Sequence, residues 1–140
     1  MFTDINISKD LMASFHQEHP DINMNVSVLT MGTWPNYKPI EVTLPRILSK
    51  QMQIFEEFYV TKFTGRKLTW QTSLSHCVLN AEFPSSKKIL CTSLFQALIL
   101  LLFNTREKYT YKELLEATQI GSFLLLLFIC HFLFIFETIV

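Results

Sequence analysis

The feature that most constrains this chain is an apolar run near its C-terminus. From Phe123 to Phe136 every residue is apolar except His131. Thirteen phenylalanines occur in the chain, and five of them lie in this run. As a helix the run spans about 21 Å at 1.5 Å per residue. A bilayer's hydrocarbon core is about 30 Å thick. His131 near the centre adds a desolvation cost, and no Lys or Arg follows Lys112 to fix an orientation. A packed or exposed apolar helix is therefore the expectation for 121–140. A small tail-anchored membrane protein, held through Phe123–Phe136, is the alternative.

Other features narrow the function classes. The 140 residues amount to one domain's worth of chain. Lys plus Arg total 12 and Asp plus Glu total 12, so the net charge is zero. That excludes a strongly basic nucleic-acid binder. Only Gly32, Gly65 and Gly121 occur, too few and too scattered for a phosphate loop or a dinucleotide fingerprint. Cys77, Cys91 and Cys130 are odd in number and form no C-x-x-C. A disulfide framework and a structural zinc site are not expected, and a reducing compartment, cytoplasmic or nuclear, fits. The segment from Met1 to Asn6 lacks a basic start followed by an apolar run, so it does not read as a secretory signal.

Periodicity then sets out the elements. Leu11, Met12 and Phe15 share a helical face, with Ser8 as a candidate cap and Pro20 as a stop, so Ser8 to about Gln17 reads as the last turns of a helix. Asn25–Thr30 alternates and reads as a strand. Gly32–Tyr37 is turn-rich. Pro45–Thr64 carries a stripe through Leu44, Leu48, Gln51, Phe55, Phe58 and Phe63, with Pro45 in the first turn and Gly65 as a C-terminal stop. Arg66–Thr72, Cys77–Phe83 and Ile89–Thr92 read as strands, with a turn at Pro84–Lys88. Ser93 with Gln96, and Thr110 with Glu113, have capping-box spacing. They open helices through Leu102 and Gln119, an arrangement like the front half of a helix-turn-helix or winged-helix unit.

Reactive constellations are weak. His16 and His19 have a helical metal spacing, but no third ligand is nearby and Pro20 follows at once. His76 and Cys77 are adjacent on a strand and point to opposite faces. Glu56 and Glu57 cannot flank a substrate from adjacent helix positions. Arg66–Lys67 and Lys87–Lys88 are two small basic pairs in a neutral chain. No catalytic residue, metal ligand or cofactor site is expected. The residues alone describe a small α/β module that binds something through its sheet.

Three segments carry a resemblance. They are Val28–Tyr37 (VLTMGTWPNY), Gly65–Trp70 (GRKLTW), and Thr92–Leu100 (TSLFQALIL) with Phe103–Asn104. Together they resemble the cullin homology region, most closely that of the type-four cullins. Met1–Asp10 resembles the segment just before that region, and Asn104–Thr110 resembles the type-three branch. The likeness runs in order over residues 1–120.

The resemblance implies an α+β fold: the end of a helical bundle over 1–22, a cullin α/β domain over 23–92 and an incomplete winged-helix unit over 93–120. Residues 121–140 then form an apolar tail outside the family pattern. The α/β domain would be a small antiparallel sheet with a packed helix.

The resemblance also implies a non-catalytic scaffold of a multi-subunit RING-type ubiquitin ligase. Its sheet takes in the N-terminal strand of a RING-box protein by strand addition. The strands available are Val26–Thr30, Leu68–Thr72, Cys77–Phe83 and Ile89–Thr92. Leu68, Trp70, Val78, Leu79 and Ala81 are the residues expected near that partner. The helical repeats that hold a substrate-receptor adaptor lie outside the likeness, as does the lysine that receives a ubiquitin-like modifier. The chain therefore reads as a truncated piece, with no adaptor and no nucleic acid among its partners.

Overall fold

A computed structural model describes residues 2–32, 39–83 and 86–139, with side chains for 4–32, 39–83 and 86–130. Of the turn expected at Gly32–Tyr37 all but Gly32 falls outside the described residues, as does Pro84–Ser85 of the turn expected at Pro84–Lys88. The chain divides into two compact units. One comprises Met1–Lys38 with Pro45–Thr69, and the other Pro39–Leu44 with Trp70–Val140.

In the first unit, helix α1 spans Phe2–Glu18 and helix α2 spans Arg46–Lys62. The α2 stripe buries Phe55, Phe58 and Tyr59. Phe15 of α1 is fully buried and meets the Phe55 and Phe58 rings edge-on at 5.2 Å each. Edge-to-face pairs of this kind add to the burial of their area. Pro45 takes the N-cap position, one residue earlier than expected, and Gly65 adopts a positive φ of 80° just beyond the helix.

Two expectations fail in this unit. Ser8 is not a cap, because α1 begins at Phe2. It is a buried mid-helix residue. The segment Val26–Thr30 is extended but pairs with no strand among the described residues. It lies antiparallel along α1 and spends its alternate amides on helix side chains. Val26 N–H donates to Met12 Sδ at 3.3 Å, Val28 N–H to Ser8 Oγ at 2.9 Å, and Thr30 N–H to Asp4 Oδ2 at 3.2 Å. The Ser8 hydroxyl lies within 2.9 Å of both the Asp4 and Val28 carbonyls. Two residues of extended chain advance about 6.6 Å, and four residues of helix about 6.0 Å. Those near-equal steps let every second amide meet every fourth helix residue. Period-two alternation reports an extended backbone, not the identity of its partner.

In the second unit, strand β1 (His76–Phe83) pairs antiparallel with strand β2 (Ser86–Ser93), from His76 opposite Ser93 to Phe83 opposite Ser86. β2 starts earlier than the expected Ile89. The exposed Glu82–Lys87 pair, at 2.6 Å, lies directly across the ladder and carries the pairing into the predicted turn. Leu68–Thr72, expected as a third strand, joins no ladder among the described residues. It runs into a 3-10 turn at Thr72–Leu74, and the Thr72 hydroxyl donates to the Ile40 carbonyl at 2.9 Å.

Helix α3 (Leu94–Leu102) follows β2 without a break. The Ser93–Gln96 capping box is fully formed, and Leu94, Phe95, Ala97, Leu98 and Ile99 are buried. Helix α4 (Tyr111–Thr118) has the Thr110–Glu113 box. The turn between them is closed by Tyr109. Its hydroxyl donates to the Leu102 carbonyl at 3.0 Å, and its ring packs on Phe103 and under Arg106. The Thr110 backbone N–H and hydroxyl hold the Glu113 carboxyl below its ordinary pKa, helped by Arg106.

Thr118 is a buried polar junction. Its hydroxyl donates to the Leu114 carbonyl at 2.7 Å and accepts from Ile120 N–H at 3.3 Å, and its carbonyl accepts from Thr43 N–H at 3.0 Å. Helix α5 (Ser122–Ile139) contains the apolar run. Its Leu125 is fully buried, and Phe128 meets the Phe95 ring of α3 at 6.1 Å. Among the described residues no single helix is long and apolar enough to cross a membrane.

Candidate partner-docking site

The β1–β2 hairpin has two unlike faces because side chains alternate along each strand. Cys77, Leu79 and Ala81 share one face with Leu90 and Thr92 of β2, and all five are half-buried. The α3 helix packs on both strands. Burial there pushes the Cys77 thiol up from its ordinary pKa, so it is a poor thiolate source. The Thr92 hydroxyl, directly across from Cys77, is buried with no hydrogen-bond partner among the described residues.

The opposite face is open. Val78 is 68% exposed and Ile89 is 71% exposed, with exposed Cys91 directly across from Val78. This makes a small apolar patch on a sheet face. The hairpin also has two edges. Each strand is paired on one side only among the described residues, so each presents backbone N–H and C=O groups outward. Such an edge is a template for another extended chain.

Of the five residues predicted near a partner, three lie on the hairpin, on its two faces. Val78 is on the open face, and Leu79 and Ala81 are on the half-buried face. Leu68 is half-buried in the first unit, and Trp70 is half-buried in the second. Ile89 and Cys91 join Val78 on the open face and were not predicted. The signal for them is the register, since extending β2 to Ser86 sets their side opposite Val78.

The reactive pairs in the sequence have plain roles. His16 Nε2 pairs with Asn25 Oδ1 at 3.3 Å, and the His19 ring lies 5.0 Å from Phe15. His76 is exposed while Cys77 is half-buried, on opposite faces of β1. Among the described residues no three His, Cys, Asp or Glu side chains converge on a metal-sized site. The hairpin offers backbone edges and an apolar face, which suits binding rather than bond-making.

Comparison with known proteins bears on what binds. The chain matches the family model for the cullin alpha+beta domain over residues 28–127, reaching into the apolar run beyond Ile120. It is 44% identical to mouse (Mus musculus) Cullin-4A over 126 residues, covering 86% of this chain and 17% of that protein. It is 48% identical to Cullin-4 of Dictyostelium discoideum over 109 residues, covering 74% of this chain and 14% of that one. Arabidopsis thaliana Cullin-3B is 37% identical over 127 residues, 87% of this chain and 17% of that protein. The chain thus spans only 14–17% of the length of these relatives.

Proposed function

The chain belongs to the cullin family, and from that premise we propose that it is a scaffold piece of a multi-subunit RING-type ubiquitin ligase, acting in the cytoplasm or nucleus. Its task is to bind a RING-box protein, and it catalyses nothing itself. The binding mode is strand addition, in which backbone hydrogen bonds give affinity and alternate side chains give fit. The observation that carries this reading is the two-stranded hairpin with both edges unpaired among the described residues, backed by a buried helix. A two-stranded ribbon alone is marginal in water. Added strands complete a sheet that α3 already supports. Val78 meets the partner from the open face, and Leu79 and Ala81 from the half-buried one. Leu68 and Trp70 are further contacts of the partner. A substrate-receptor adaptor is no part of the task proposed for these residues.

The test is co-expression with a RING-box protein, followed by sizing with light scattering and hydrogen exchange. A one-to-one complex with newly protected amides along one hairpin edge is expected. A complex without new protection in β1 or β2 would overturn strand addition but keep the partnership. No complex, either from the full chain or from a chain cut after Ile120, would overturn both.

A further inference from the structure

We infer that the outer face of α5 is a self-association surface that pairs with α5 of a second copy of this chain. The inner face of α5 is already used, through buried Leu125 and through Phe128 against Phe95. Among the described residues the outer face is not. Phe123 is 78% exposed, Leu126 is 55% and Leu127 is 54%, and Cys130 is exposed beside them. These four positions follow the three-and-four spacing of a seam between two helices. The sequence continues that spacing with Leu133 and Phe134.

The occupant follows from charge and periodicity. A helix packed on this stripe must be apolar with the same repeat, and must bring no charge that would be buried unpaired. α5 meets both conditions from Phe123 to Phe134, a stretch that contains no Asp, Glu, Lys or Arg, and Glu137, seven residues after Cys130, ends the stripe. A two-fold pair of identical stripes is self-complementary, the commonest arrangement among homo-oligomers. A lipid surface fits less well. Interfacial helices present a charged, basic polar face opposite the apolar one, and α5 has no Lys or Arg. Three large side chains and a cysteine from each copy make a small contact, below about 1,200 Å² in total. The dimer is therefore a weak one that forms with concentration. It is independent of the RING-box reading, because it uses α5 and leaves both hairpin edges free.

The test is sedimentation of the full chain over roughly a hundredfold range of concentration, since mass action governs such pairs. The mass is expected to rise from monomer towards dimer. Leu126→Lys and, separately, Phe123→Ser are expected to stay monomeric at the highest concentration. Far-UV circular dichroism selects the variant that keeps its helix content. A monomer throughout would overturn the proposal, as would a dimer that persists in a folded variant. Flotation of the wild-type chain with neutral phosphatidylcholine vesicles, without dimer in their absence, would assign the face to lipid instead. Open-ended aggregates of unchanged size in the folded variants would likewise overturn it.

Discussion

Two segments of this chain have the same alternating pattern and end differently. Val26–Thr30 and Cys77–Phe83 both read as strands. The second finds another strand and forms an eight-residue ladder with β2. The first finds a helix, and its alternate amides go to Asp4, Ser8 and Met12. The difference teaches that alternation fixes a backbone conformation, while the partner is set by what lies at matching spacing nearby. Polar or polarisable side chains four apart on α1 are enough to replace a strand.

The comparison can be broken at α1. Phe15→Ala removes the fully buried ring between α1 and α2 and is expected to destabilise the first unit by about 3–5 kcal/mol. Native-state hydrogen exchange should then show lost protection at Val26, Val28 and Thr30, with the hairpin amides unchanged. Equal loss in β1 would mean that the two segments share one cooperative unit.

A smaller effect is expected at the middle rung. Ser8→Ala leaves the Val28 N–H without its acceptor and should cost about 1–3 kcal/mol. A urea titration measures it, and a loss below the error of that titration would mean that water replaces the hydroxyl. The hairpin's matching rung is weaker still. Lys87→Ala removes an exposed ion pair and should change stability by less than about 1 kcal/mol, less again at high salt.

Within the hairpin, the two faces are distinguished by chemistry. Cys91 should be alkylated several-fold faster than Cys77 near pH 8, because burial raises the Cys77 thiol and limits access. Equal rates, read by peptide mass spectrometry, would mean that the Cys77 face is open in solution.

Acid gives the gentlest perturbation. The folded state lowers the Glu113 pKa, so its contribution is complete above the ordinary glutamate value. That contribution is lost as pH falls through the lower folded value. Thermal melts of the wild type and Glu113→Gln should differ at neutral pH and converge in acid.

The sequence was most readable where local chemistry decides. The Ser93–Gln96 and Thr110–Glu113 boxes are adjacent in the chain and close as their spacing requires. The α2 stripe, the core character of α3 and the helical apolar run are equally local. Reading failed where a partner lies far away in sequence. Ser8 looked like a cap because nothing nearby shows that Val28, twenty residues on, needs its hydroxyl. Thr72 looked like a strand residue, but its hydroxyl reaches back to Ile40 and the backbone turns there. At the site, Val78, Leu79 and Ala81 could be placed on a strand, while the face that stays open depends on where α3 lies. Ile89 and Cys91 became visible only through the register.

The helix-bound segment has one further property, which comes from comparing two rulers. Its extended chain advances about 6.6 Å for each rung, and the helix about 6.0 Å. The scales agree closely at one point and drift apart by about 0.6 Å per rung. Three rungs tolerate that. Past the third rung, His16 meets the Asn25 side chain, a side-chain pair and not a further backbone rung. A β-ladder has equal scales on both sides and can grow without limit. This vernier stops itself, so one edge of an extended segment is satisfied over a fixed short length without becoming a template for more chain.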